Sequence, residues 1–350
     1  MKAIRLTAVK EPLTVQEVES PQPGDDQVVI QVAGCGVCHT DIGFWIDGVP
    51  TKQPLPLTLG HEISGTVVEA GAGYAGLVGK EVIVPAVIPC GSCDLCSQGR
   101  GNVCRKQVMP GNDIDGGFAE FVAVPGLGLC EVGDRAGYEL QELSVVADAV
   151  TTPYQAIVRS GLAAGDLAVV VGVGGVGTYC VQIAAALGAK VVAIDVDQKK
   201  LDAVSEHGAG LTVNSAATDF KELKKQVKGA AKEWGCSSHS WKIYECSGQP
   251  GGQETAYGLL THASTLMVVG FTLGKIEVRL SNLMAFDATV QGTWGCKPEL
   301  YPAALQLITD QKITLKPFIE QHPMSTGPEV VRRVADHEID KRVILVPDWQ

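Results

Sequence analysis

No apolar run in this chain reaches the roughly 18 residues that a membrane-spanning helix needs. The opening stretch, MKAIRLTAVKEPLTV, has neither the apolar core nor the small-residue cleavage site of a secretory signal. The expectation is a cytoplasmic protein with no membrane partner. Positive charge is also short: 28 Lys and Arg stand against 39 Asp and Glu, a net charge of −11. A nucleic-acid backbone demands a basic surface, so nucleic acid is not an expected partner. Aromatic residues are only 5%, whereas glycine is abundant at 41 of 350 residues, which points to an α/β enzyme with many tight turns. The length suits about two domains, each able to bury its own core.

Cysteine is plentiful, at eleven residues. In a reducing compartment these are expected as ligands or core residues rather than disulfides. Four of them form Cys90-x2-Cys93-x2-Cys96-x7-Cys104. The lobe around them, PCGSCDLCSQGRGNVC, has almost no apolar core, so a closed four-thiolate zinc site is expected to hold it. No position is left there for substrate. A second set of chemical groups lies earlier. AGCGVCHTD supplies the thiol of Cys38, the hydroxyl of Thr40 and the carboxylate of Asp41, and Gly60-His61-Glu62 adds an imidazole. These are the parts of a metal site that does acid–base chemistry. Cys35, Cys130, Cys180, Cys236, Cys246 and Cys296 read as packing.

Short alternating segments over residues 1–33 and 61–88, broken at Pro21-Gln22-Pro23-Gly24, predict a mostly β first third. GGFAEFVAVP reads as another strand, and Thr152-Pro153 as the N-cap and first residue of a helix, with Asp148 just ahead. At 167–195 the pattern becomes βαβ. LAVVVGVGGVG runs into Gly172-x-Gly174-x-x-Gly177, TYCVQIAAALGA is helical, and KVVAID ends on Asp195. Such glycines let a pyrophosphate approach the helix start, and an acid at the second strand end accepts from an adenosine ribose while repelling a 2′-phosphate. This predicts NAD rather than NADP. Strands LTVNS, WKIYECSG and STLMVVGF alternate with helices KELKKQVKGAAKEW and GGQETAYGLLTHA. The lysines of 221–232 read as a solvated face. Residues 295–350 leave the alternation, and KRVILVPDWQ reads as a strand returning to the first domain.

In this order, GCGVCHTD, GHE, CxxCxxCx7C, GGFAEF, the T-x-Y helix start and GVGGVG…D resemble the zinc-dependent medium-chain alcohol dehydrogenase family over essentially the whole chain. The resemblance implies a GroES-like β-barrel catalytic domain, 1–148 plus 295–350, with an inserted Rossmann domain, a doubly wound parallel sheet, at 149–294. The active site would lie in the cleft between them. It implies two zinc ions per subunit, NAD, an alcohol or ketone substrate, and a homodimer or homotetramer. By position, Cys38 and His61 match catalytic zinc ligands. Glu62 matches the acid beside them, Thr40 the proton-accepting hydroxyl, and Asp41 the acid that orients the histidine. Gly172, Gly174, Gly175, Val176, Gly177, Asp195, Lys200, Val269 and Arg342 match cofactor contacts, Lys200 near the ribose and Arg342 at the pyrophosphate. His39 matches either a pyrophosphate contact or a substitute in the proton path.

Two positions depart from the pattern. The third catalytic ligand is usually cysteine, and here it is Asp148, which either ligates through oxygen or only precedes the helix while water completes the site. Gly43 stands where many relatives carry a proton-relaying histidine. Ala86 and Val87 fall where relatives often place a bulky aromatic, which implies a roomy pocket. Trp45, Phe271 and Trp294 are either pocket or core. WKIYECSG, QETAYGLLTHASTLMVVGFT, RLSNLMAF and GTWGC…YPAALQLI further resemble dehydrogenases of cyclic alcohols carried as CoA thioesters in aromatic compound degradation. Two other expectations stay open: a general secondary or cyclic alcohol dehydrogenase, and a zinc-stabilised NAD-binding protein without alcohol chemistry.

Overall fold

The computed structural model describes residues 1–349, and the chain divides into two compact units. The first comprises Met1–Thr151, Gly295–Thr309 and the chain from Leu315 onward; the second comprises Thr152–Trp294 and Asp310–Thr314. Segment 310–314 belongs to the second unit because Gln182 exchanges two hydrogen bonds with the Thr314 backbone, at 2.9 and 3.2 Å.

The first unit is mostly β. Its strands are β1 (Lys2–Leu6), β2 (Thr14–Glu17), β3 (Gln27–Gly36), β4 (Leu57–Thr58), β5 (Glu62–Ala70), β6 (Glu81–Val84), β7 (Phe121–Pro125) and β8 (Cys130–Glu131). Strand β3 is the spine. Its apolar positions Val28, Ile30 and Val32 are buried, as a strand packed on a core requires. It pairs antiparallel with β5 on one side, and β7 also pairs with it antiparallel. The core includes Ile30, Val32, Leu57, Ile63, Val84 and Phe118.

The second unit holds a six-stranded, all-parallel sheet. Its strands are β9 (Leu167–Val171), β10 (Lys190–Asp195), β11 (Leu211–Asn214), β12 (Lys242–Glu245), β13 (Thr265–Val268) and β14 (Thr289–Gly292), ordered β11-β10-β9-β12-β13-β14. This is the doubly wound order, with the reversal between β9 and β12. All five residues of β9 are buried, as a central parallel strand covered on both faces requires.

Two strands from the C-terminal part, β15 (Ile319–Pro323) and β16 (Arg342–Val346), rejoin the first unit. Strand β16 pairs antiparallel with β3, Ile344 opposite Gly36. The returning strand expected from KRVILVPDWQ is therefore present. The fold class is the expected one, a GroES-like β unit and a Rossmann-type parallel sheet. Among the described residues, no helix is long and apolar enough to cross a membrane.

Candidate metal centre

The pairing of β3 with β5 explains why two distant groups meet. Gly36 lies opposite Glu62, so Cys38, two residues past β3, comes beside His61, one residue before β5. Cys38 precedes a short helix, α1 (His39–Ile42), and its N–H donates to Asp41 Oδ2 at 2.9 Å. Asp41 Oδ1 accepts from Gly60 N at 3.1 Å, so one fully buried carboxylate ties both loops. Gly60 has φ +96°, and a Cβ there would press on Phe118 and Cys35 at 2.6 and 2.7 Å.

Asp148 arrives from a third place. It follows a 3-10 segment, Leu140–Ala147, and lies ahead of a helix that begins at Thr151, one residue before the expected cap. Asp148 Oδ2 lies 3.9 Å from Cys38 Sγ and 3.7 Å from His61 Nε2. The three donor atoms are all within 4.8 Å of one another. Donors around a tetrahedral zinc, at about 2.0–2.3 Å from the ion, stand roughly 3.3–3.8 Å apart. The observed separations need only small closure to share one ion.

Electrostatics agree with a cation there. Burial alone would lower the His61 pKa, but the Asp41 charge, with the contacts to Asp148 and Cys38, pushes it well up. A site that pulls a proton onto a fully buried imidazole has a strongly negative potential, which a metal ion also answers. Asp41 Oδ1 stands 3.4 Å from His61 Nδ1. The direction is poor for a hydrogen bond, and Nδ1 has no partner that meets full geometry. The contact still favours a proton on Nδ1 and a free lone pair on Nε2, the tautomer a metal ligand needs. Thr40 Oγ1 lies 3.6 Å from Cys38 Sγ. His39 is exposed, with its ring stacked 5.8 Å from that of His337.

Glu62 and Arg342 form a fully buried ion pair beside the cluster. Arg342 Nε donates to Glu62 Oε2 at 2.9 Å, and Nη2 donates to Oε1. Glu62 Oε1 also accepts from Ala149 N at 3.0 Å. Burial raises the Glu62 pKa and the arginine works against it. Gly36 is required here, since a Cβ would collide with the Glu62 carboxylate. Arg342, matched to a pyrophosphate by resemblance, thus spends Nε and Nη2 on Glu62. Trp45 is core: it is 1% exposed, bonded to the Glu11 carbonyl at 2.6 Å and covered by Arg332 at 4.4 Å. Phe271 and Trp294 are exposed on their own unit.

The second thiol cluster is compact. Cys90–Cys104, Cys93–Cys96 and Cys93–Cys104 sulfurs lie 3.5, 3.4 and 3.6 Å apart. A zinc with four sulfurs at about 2.3 Å sets them roughly 3.8 Å apart. A short helix, α2 (Asp94–Ser97), carries Cys96. The Ser92 N–H, with Cys104, lowers the Cys90 thiol to about 6. Burial and the neighbouring Cys93 and Cys104 push Cys96 to about 12. Four adjacent thiols cannot all ionise without a cation to offset them.

In the second unit, Gly172, at φ +86°, leaves no space, because a Cβ would meet the Ser247 backbone at 2.5 Å. A Cβ on Gly177 would collide with the Gly172 carbonyl. A Cβ on Gly174 would meet nothing, so that glycine keeps the turn open where a pyrophosphate would rest, with Gly175 and Val176 beside it. The following helix, Gly177–Ala186, starts at this turn. Asp195 Oδ2 accepts from Val173 N at 2.7 Å, and Oδ1 from Val196 N at 2.8 Å. Oδ1 also accepts from Asp197 N at 3.0 Å, so the carboxylate is fixed at the strand end with one acceptor position, on Oδ2, still open. Lys200 lies in the first turn of the next helix, and Val269 follows β13, its N–H on the Glu245 carbonyl.

Comparison with known proteins agrees with this geometry. Residues 24–134 match the alcohol dehydrogenase GroES-like domain, and 175–310 match the zinc-binding dehydrogenase family. An alcohol dehydrogenase of Geobacillus stearothermophilus is 30% identical over 99% of this chain and 100% of its own. The chain belongs to the zinc-binding alcohol dehydrogenase family. A sorbitol dehydrogenase of Halalkalibacterium halodurans is 29% identical, covering 95% of each chain. The solved alcohol dehydrogenase of Aeropyrum pernix superposes with a TM-score of 0.87 at 27% identity, over 99% of this chain and 100% of that one. This protein is a zinc-containing, NAD-dependent dehydrogenase acting on alcohols. A zinc-stabilised binding protein without such chemistry is set aside.

The sequence missed two features. Nothing in KRVIL marks Arg342 as the partner of Glu62, 280 residues away. Nothing in YPAALQLI marks Tyr301, yet its hydroxyl bonds Ala147 and Ala86.

Proposed function

We propose that this alcohol dehydrogenase oxidises a cyclic secondary alcohol to a ketone with NAD, its substrate being 6-hydroxycyclohex-1-ene-1-carbonyl-CoA and its product 6-oxocyclohex-1-ene-1-carbonyl-CoA. The alcohol chemistry rests on one observation: Cys38, His61 and Asp148 offer sulfur, nitrogen and oxygen within 4.8 Å of one another. The ring substrate and its CoA thioester rest on the sequence resemblance of the 241–308 segments. Small buried residues at Ala86 and Val87 support a roomy pocket. We also assign it to the cytoplasm, as a homodimer or homotetramer.

Cys38, His61 and Asp148 hold the catalytic zinc, and Cys90, Cys93, Cys96 and Cys104 the structural one. When bound, zinc supplies Lewis acidity to a substrate oxygen, and NAD supplies a hydride acceptor. A thiolate, a carboxylate and a neutral imidazole sum to the opposite of the ion's charge, so the centre is neutral overall. Asp41 keeps His61 in its ligating tautomer. Thr40 Oγ1, beside Cys38, takes the substrate's hydroxyl proton, since a hydroxyl both accepts and donates. Gly43 has no group to pass it on, so water carries it out. We assign His39 and the remaining Arg342 nitrogen to the cofactor phosphates. Gly172, Gly174 and Gly177 shape the pyrophosphate seat. Asp195 and Lys200 face the ribose.

The second reading is a general dehydrogenase of secondary or cyclic alcohols, favoured by the range of alcohols named among its relatives. A panel followed by NADH absorbance separates the two. We expect kcat/KM for the CoA thioester to exceed that for the free cyclic alcohol by about 100-fold or more, some 3 kcal/mol. Equal values would give the general reading instead.

A further inference from the structure

Asp148 is braced on both sides by groups other than the three clustered donors. On its C-terminal side, Glu62 Oε1 accepts the Ala149 N–H at 3.0 Å. On its N-terminal side, the Tyr301 hydroxyl donates to the Ala147 carbonyl at 2.5 Å and accepts from the Ala86 N–H at 3.0 Å. Thr151 Oγ1 adds a second donor to the same carbonyl at 3.2 Å. Tyr301 is fully buried, opens the helix Tyr301–Thr309 and belongs to the same unit as the cluster.

We propose that Tyr301 is a positioning residue for the catalytic metal: its hydroxyl pins the peptide ahead of Asp148 to the Ala86–Val87 segment and so holds the carboxylate in ligating register. Physical chemistry explains the need. A cysteine ligand has one donor atom and one side-chain torsion. An aspartate has two torsions and two oxygens, so it reaches an ion only if its backbone is fixed. Asp148 has φ −141° and ψ −58°, outside helix and strand. No regular hydrogen-bond ladder fixes its conformation, so neighbouring bonds must. Tyr301 supplies one of them and also ties it to Ala86, one of the two small residues taken to line the substrate pocket. The same hydroxyl therefore couples metal position to pocket shape.

The inference rests on Asp148 being a ligand. The test measures zinc release to a chromogenic chelator from wild type, Tyr301→Phe, Thr151→Val and Tyr244→Phe. Tyr244 is a second buried tyrosine, bonded to Ser160 at 2.7 Å in the other unit. Phenylalanine keeps the ring and removes both Tyr301 hydrogen bonds. Outer-sphere changes of this kind weaken metal binding about 10–100-fold. We expect Tyr301→Phe to speed loss of one zinc by about 10-fold or more and leave the four-cysteine zinc unchanged. Thr151→Val should act the same way more weakly, and Tyr244→Phe should not act. Unchanged release in both Tyr301→Phe and Thr151→Val, with Asp148→Ala already lacking one zinc, would overturn the inference and spare the ligand assignment. Two zincs in Asp148→Ala would overturn the ligand assignment itself.

Discussion

Cys38 Sγ stands 3.9 Å from Asp148 Oδ2, across 110 residues of chain. The β3–β5 register delivers the thiol and the His61 imidazole to one place. The carboxylate comes from the segment just before Thr151, whose flanking backbone groups bond Glu62, at Ala149 N–H, and Tyr301, at the Ala147 carbonyl. An oxygen ligand gives the ion less charge than a thiolate would, which leaves a stronger Lewis acid.

Glu62→Gln should destabilise the first unit strongly. It leaves the Arg342 guanidinium buried without its counter-charge, and breaking one side of a buried pair costs about 3–5 kcal/mol. Urea unfolding of the zinc-loaded protein measures this. A loss within about 0.5 kcal/mol, the range of ordinary surface changes, would mean that the pair is not the brace described here.

Replacing any one of Cys90, Cys93, Cys96 or Cys104 with serine should remove one zinc and loosen the lobe. The melting temperature should fall by roughly 5–10 °C. NAD binding should persist, because the glycine turn lies in the other unit. Full thermal stability in any of the four variants would count against a structural zinc.

Much of this was legible beforehand because it is local. The β9 run, the glycine turn and the acid at Asp195 lie within 29 consecutive positions, 167–195, and the four thiols within fifteen, 90–104. Each carries its own physical constraint. The lysines of helix Phe220–Glu233 are largely solvated, as its buried stripe of Leu223, Val227, Ala230 and Ala231 implies. What escaped is non-local. Glu62 and Arg342 meet only because β3 pairs with both β5 and β16 at Gly36. Tyr301 has the spacing of a core residue, and its hydroxyl partners are backbone atoms that no motif records. Trp45, open as pocket or core, is core because its indole N–H found a carbonyl and its face an arginine.

Asp195→Asn removes the charge facing a 2′-phosphate, and its single oxygen can accept either from Val173 N or from the Val196 and Asp197 N–H groups, so cofactor preference is read as a ratio that cancels any common loss. The ratio of kcat/KM for NADP over NAD should rise by about 10-fold, equivalent to 1.4 kcal/mol. An unchanged ratio would place cofactor choice elsewhere.

Gly43 has helical backbone angles, φ −57° and ψ −43°, and a Cβ there would make only ordinary contacts at 3.7 and 3.9 Å. Glycine is therefore not needed for the fold. Gly43→Ala should stabilise by about 0.5–1 kcal/mol, read as a rise in melting temperature. Gly43→His supplies a titrating group at the relay position. It should change the pH profile of kcat if proton exit limits turnover, and identical profiles would show that water already carries the proton fast enough.

The most direct test is zinc analysis of Asp148→Ala beside wild type, with activity measured on the same samples. A catalytic zinc held by Asp148 predicts two zincs per chain in wild type and one in the variant, with kcat/KM down by about 10³-fold or more. Two zincs and near-normal turnover in Asp148→Ala would contradict it.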